Sequence, residues 1–118
     1  MAAPNVLQAA NITVKTAVQA ATTTLSNVVI NAAGSSTAVK INSMLIANYG
    51  ATAVGAYVDI YRTGVGYLVA GNVSVPAYST MVVVAKDAAI YLEEGDSIRA
   101  NCNAANTGYI TCSYDIIR

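Results

Sequence analysis

"VGAYVDIYRTGVGYLVAGNVSV", residues 54–75, is the stretch from which the fold class follows. In "VGAYVDIYR" (54–62), Ala56, Val58 and Ile60 alternate with Tyr57, Asp59 and Tyr61. Successive side chains of a strand point to opposite faces, so this period of two predicts a strand with one apolar face and one polar, aromatic face. The second face is expected to meet solvent or a partner. "TGVG" (63–66) follows, and its glycines supply the positive φ that a tight hairpin turn needs. "YLVAGNVSV" (67–75) is then the return strand, with Gly71 a candidate bulge and Pro76 its stop.

The same signals recur on both sides of this hairpin. Upstream, "VKINSMLIAN" (39–48) places Val39, Ile41, Ser43 and Leu45 on one face, and "YGATA" (49–53) is a turn. "NAAGSST" (31–37) is a loop by its Gly and Ser content. "TLSNVVIN" (24–31) is a strand, and the Thr-heavy stretch before it a loop. "ITVKTAV" (12–18) alternates Ile12, Val14, Thr16 and Val18 against Thr13, Lys15 and Ala17, which predicts a half-buried strand.

Downstream, "STMVVVAK" (79–86) is the most apolar segment and is expected at the centre of a sheet. Residues 90–93 form a short strand and "DSIRANC" (96–102) a longer one. "NAANTG" (103–108) reads as a turn before "YITCSYDII" (109–117). Eight or nine strands result. With no helix-length segment to serve as a crossover, the expected architecture is all-β: an antiparallel two-sheet β-sandwich, jelly-roll or immunoglobulin-like. Residues 1–11, with Pro4 early, are expected to form an extended N-terminal arm, and 12–118 a single sandwich domain.

The chain has 118 residues, of which six are basic and six acidic. Charged residues make up 10% of it, against about 25% in a typical soluble domain. A net charge of zero argues against a nucleic-acid partner, which needs excess Lys and Arg to displace counterions from phosphate. It argues equally against an anionic membrane surface. A surface so poor in charge gives little protection against association, which favours burial in an assembly, with a homo-oligomer expected. No early basic residue and no long apolar run mark a signal peptide at the N-terminus, so synthesis in a cytoplasm is expected.

Histidine is absent, which removes the commonest general base and any Ser–His–Asp or Cys–His arrangement. "TGVGYLV" (63–69) lacks the third glycine of a dinucleotide loop and precedes a strand. No P-loop or cation-loop pattern occurs. No catalytic residue, cofactor or metal is expected. "IYLEEGDSIRA" (90–100) gathers Glu93, Glu94 and Asp96, but reads as a solvated strand–turn–strand corner, with Gly95 free to take positive φ, Asp96 bonding the backbone downstream and Arg99 offsetting the carboxylates. Cys102 and Cys112 lie symmetrically about a turn near Thr107. Reduced thiols are preferred there over a cross-strand disulfide, because a chain without an export signal stays reduced.

Of the eight tyrosines, most read as ordinary strand residues. The candidate interface residues are Tyr57, Asp59, Tyr61 and Arg62 on the first hairpin strand, with Pro4, Val6 and Leu7 in the arm. Tyrosine suits an interface because its ring buries area while its hydroxyl keeps a hydrogen bond.

Several stretches together resemble small virion structural proteins of tailed bacteriophages, especially those of marine cyanobacteria. They are "MAAPNV" (1–6) with "ITVKTAV" (12–18), "VKINSMLIAN" (39–48), "VSVPAYSTMVVVAKDAAIYLEEGDSI" (73–98) and "TCSYDII" (111–117). The resemblance covers most of the chain, and its motifs are fold motifs. It implies a non-enzymatic β-sandwich of the virion: a capsid decoration (cement) protein that binds major capsid proteins, or a neck, tail or fibre component. Icosahedral lattices offer local threefold positions, so a trimer is the symmetry expectation. A carbohydrate-binding module is the remaining alternative, on the sandwich class and exposed tyrosine.

Overall fold

The structure, a computed structural model, describes residues 10–118. Its strands are β1 (Ile12–Ala20), β2 (Ser26–Ile30), β3 (Ala38–Asn48), β4 (Val54–Arg62), β5 (Val65–Val75), β6 (Thr80–Val84), β7 (Ile90–Leu92), β8 (Ser97–Cys102) and β9 (Gly108–Ile117). They form two antiparallel sheets. Sheet A runs β1-β9-β3-β6, with β7 also on β3, and sheet B runs β2-β8-β4-β5. The two sheets pack face to face, as expected of an all-β sandwich. The interleaved order of the eight longer strands is that of a jelly roll, which separates this fold from the immunoglobulin-like alternative.

The core lies between the sheets. Ile41, Met44, Ile46 and Ile110 of sheet A meet Ala56, Val58 and Ile98 of sheet B, all fully buried. The β4–β5 hairpin turns on Thr63 and Gly64 alone, because Arg62 pairs with Val65. Both turn residues have positive φ (50° and 76°), the two-residue turn whose twist matches that of its strands. Gly71 lies in a bulge, as Ala56 pairs with Val73 while Val58 pairs with Ala70. Two buried asparagines pin loops that composition marks only as turns. Asn31 Nδ2 donates to the carbonyls of Thr37 and Leu92 (2.9 Å each). Asn48 Nδ2 donates to those of Thr52 (2.9 Å) and Val75 (3.1 Å).

Five expectations are corrected. The segment after Cys102 is not a hairpin turn: β8 belongs to sheet B and β9 to sheet A, so 103–107 crosses from one sheet to the other. Strand β6 is an edge rather than a centre, and its Val82 is 59% exposed. In β3 the register shifts between Ile41 and Ser43. The extra residue at Asn42 restores the core face to Met44, Ile46 and Asn48, and turns Ser43 and Leu45 away from it.

Strand β1 is formed, but not half-buried as expected. Ala17 pairs with buried Cys112 and Gln19 with buried Ile110, so the odd-numbered residues share the core side. Ile12, Val14 and Val18 therefore lie on the outer face, 59%, 72% and 65% exposed. Asn11, assigned to the arm, exchanges backbone hydrogen bonds with Arg118 (2.9 and 3.0 Å) and extends the β1–β9 ladder. Pro4, Val6 and Leu7, and with them residues 1–9 of the expected arm, lie outside the described residues.

Candidate functional site

The outer face of sheet B collects three of the sequence candidates. Tyr57, Asp59 and Tyr61 share the side of β4 that points away from the core. Asp59 is nevertheless fully buried, and the cause is Arg99, which β8 places directly opposite it. Arg99 Nε donates to Asp59 Oδ1 (2.8 Å) and Nη2 to Oδ2 (2.6 Å), a bidentate pair. Tyr57 Oη donates to Asp59 Oδ2 (3.2 Å), and the Arg99 guanidinium lies 4.2 Å from the centre of the Tyr61 ring. Burial, then the neighbouring Asp59 charge, raises the Tyr57 hydroxyl above its ordinary pKa. The Asp59 hydrogen bonds raise that of Arg99. On β5, Gly66 leaves room for this pair: a Cβ there would fall 2.8 Å from Arg99 Nη2 and collide with Asp59 Oδ2. Asp59 is thus a closed structural carboxylate, not the solvent-facing interface group expected.

Arg62, the fourth candidate on β4, belongs elsewhere. It reaches the corner between β7 and β8, where Nε donates to Asp96 Oδ1 (2.8 Å) and Nη2 to Oδ2 (2.6 Å). Nη2 also meets Glu93 Oε2 at 2.8 Å. The corner is formed as expected, with Gly95 at φ 88°, but its chemistry differs. Asp96 is buried and accepts from the upstream amide of Glu93 (2.9 Å). Its charge is balanced by Arg62, not Arg99. These bonds hold its carboxyl below the ordinary carboxylate range against the opposing effect of burial. Among the described residues no group of three or more Cys, Asp or Glu side chains is placed to hold a metal ion.

Beside Tyr57 the outer face of sheet B sinks into an open groove of about 370 Å³, lined by Leu25, Gly55, Tyr57, Asn72, Asn101 and Asn103. Asn103 Oδ1 accepts from the Gly55 amide (2.9 Å). Asn101 Nδ2 donates to the Thr23 carbonyl (3.0 Å), while its Oδ1 is buried with no hydrogen-bond partner. Sequence reading missed this asparagine set, because its members lie on two strands and one loop and follow no common spacing.

Two further surfaces are apolar and nearly free of charge. The first is strand β5, an edge of sheet B. "VGYLVAGNVSV" carries no charged residue over eleven positions, and Val65, Tyr67, Leu68, Val69 and Val73 are all exposed. The second is the outer face of sheet A. The register aligns Val18, Thr111, Leu45 and Val82 in one row across four strands, and Val14, Asp115, Lys40 and Tyr91 in another. Tyr49 and Tyr109 stack at its end, with ring centroids 5.2 Å apart.

Cys102 and Cys112 are free and buried, one in each sheet. Burial raises both thiols, Cys112 to about 11, so neither is a ready nucleophile. No helix of the described residues is long and apolar enough to cross a membrane. No protein-family model matches the chain, and no curated protein matches it.

Proposed function

We propose that this chain is a non-enzymatic structural protein of a phage virion, in the first place a capsid decoration protein that bridges major capsid proteins and stabilises the shell. The observation that carries this reading is β5. A long, uncharged, apolar edge strand is a template for pairing with another chain, and proteins that stay apart blunt such edges with charge or proline. Its bulges are the one such device β5 has. An extended segment of a shell protein laid along it would satisfy its open backbone groups and cover Leu68 and Val73. A protein that binds the assembled shell and not its free subunits stabilises the shell by mass action. The resemblance to virion proteins supports the same assignment. So, by fold-level association, does the jelly roll, which recurs in viral capsids.

The test uses particles with and without this protein. Virions lacking it should release DNA at a lower temperature, and copy counting by mass spectrometry should give hundreds per particle. Unchanged heat stability would count against cementing, and a few copies per particle would move the protein to the neck, tail or fibre. Leu68→Lys with Val73→Lys, at exposed positions, should release a folded protein from the particle.

One observation favours a second reading. The groove beside Tyr57 offers an aromatic ring and several asparagine side chains, a set suited to sugar hydroxyls, and lectin domains also use the jelly roll. A glycan array without binding removes it.

A further inference from the structure

We infer that the outer face of sheet A is an isologous interface, and that its occupant is a second copy of this chain. The face is built as a pattern that complements itself. In one row Val18, Thr111, Leu45 and Val82 lie on β1, β9, β3 and β6 in turn. In the other, Val14, Asp115, Lys40 and Tyr91 lie on β1, β9, β3 and β7. A two-fold axis in the plane of contact, running between β9 and β3 and along them, lays β9 over β3 of the other copy and β1 over its β6 and β7.

Each row then meets itself reversed. Val18 of one copy sits on Val82 of the other, and Thr111 on Leu45. Asp115 sits on Lys40 and Val14 on Tyr91. An isologous contact makes every such pairing twice.

The charges single out this axis. Lys40 and Asp115 are the two charged residues in these rows. Among the described residues the ion pairs are those of Arg62 with Glu93 and Asp96 and of Arg99 with Asp59, so both are left uncommitted. A face with one cation and one anion side by side repels a copy of itself when like charges are superposed. It attracts one when the axis passes between them, at a separation that sheet-on-sheet packing sets near 10 Å between backbones and long side chains close. No other charged side chain in either row opposes the contact.

The size fits as well. Four strands about 4.8 Å apart and nine residues rising about 3.3 Å each give a face of roughly 30 by 19 Å. That is on the order of 600 Å² in projection, comparable with the roughly 800 Å² that each partner of a standard interface buries. Val14, Val18 and Val82 are more than half exposed in the single chain, and such a contact would cover them. The inference stands apart from the virion reading, since β5 lies on the other sheet and stays open in the pair.

The test is the oligomeric state of the purified full chain by light scattering and sedimentation equilibrium. The expected mass is twice the 12.1 kDa of one chain. Val18→Asp and Val82→Asp should each raise the dissociation constant of the pair at least about tenfold, with the circular dichroism spectrum unchanged because both side chains are exposed. Lys40→Glu and Asp115→Lys should each weaken self-association. Mixed in equal amounts, these two variants should form a heterodimer, because one face then carries two anions and the other two cations. A monomer at concentrations on the order of 100 μM overturns the proposal. So does a trimer, which a two-fold contact cannot build, and so does a mixture of the charge variants that associates no better than either alone.

Discussion

Asp59 and Asp96 are both buried, and each is held by one arginine through two parallel hydrogen bonds. The pairs differ in what happens when they are broken. Arg99→Met leaves Asp59 with only the Tyr57 hydroxyl in a fully buried position. An uncompensated buried charge is strongly destabilising, so urea denaturation should show a loss of about 3 kcal/mol. Asp96 makes a prediction about pH. Its folded pKa is depressed, first by the Arg62 hydrogen bonds. A depressed carboxyl contributes its stability above the unfolded value near 3.9 and loses it as pH falls through the folded value. The chain has no histidine, so stability should stay level between about pH 8 and pH 5 and fall below about pH 4. Asp96→Asn should shrink that acid limb and lower the plateau. Alternation correctly put Asp59 with Tyr57 and Tyr61, but it could not show what closes over them. Proximity in sequence paired Arg99 with the carboxylates at 93–96. The β4–β8 register instead sets Arg99 across from Asp59, forty positions away.

Strands are legible in sequence where alternation is unbroken, as in β4. They mislead where a single residue is inserted. The bulge at Asn42 reverses every side chain after it, so that Met44 and Ile46 enter the core and Leu45 leaves it. Deleting Asn42 should leave a regular strand with Ile41, Met44, Ile46 and Asn48 still on one face and a cooperative thermal transition, whereas one residue inserted after Met44 should turn Ile46 and Asn48 outward together and abolish that transition. Asn42→Ala keeps the residue count and should cost less than about 1 kcal/mol. Strand β1 carries the complementary lesson. Its period of two is real, yet periodicity says only that two faces differ, not which one is inside. The core side went to Ala17 and Gln19 because the β9 register put them beside Cys112 and Ile110. β6 misled in a related way: its apolar run marks area to be covered, but not a central place in the sheet, and while Val84 enters the core, Val82 lies exposed on the outer face of an edge strand.

Taken together, the strands give an elongated body of 47 × 26 × 20 Å with an apolar edge on one sheet and an apolar face on the other. The sandwich class was readable from turn spacing and alternation. The assignment of strands to sheets was not, because a turn within a sheet and a crossing between sheets are built from the same polar, small residues. "NAANTG" (103–108) serves the second purpose and reads like the first.

The pairing β4–β5, β3–β6, β2–β8 and β1–β9 is nested, so the chain is one long ribbon rolled up from the turn at Thr63 and Gly64. Loop closure costs more as the enclosed loop lengthens, and non-local pairing is slow. Assembly should therefore begin at that turn and finish where β1 meets β9. Relaxation should run in reverse, with the β1 amides the first to exchange with deuterated solvent and those of β4 among the last. The strip opens from the β1–β9 end, and the strand that bears Val14 and Val18, at the edge of its sheet, is the one that loosens first. A second copy gripping that strand would slow its release, so association would be read out in kinetics as well as in mass.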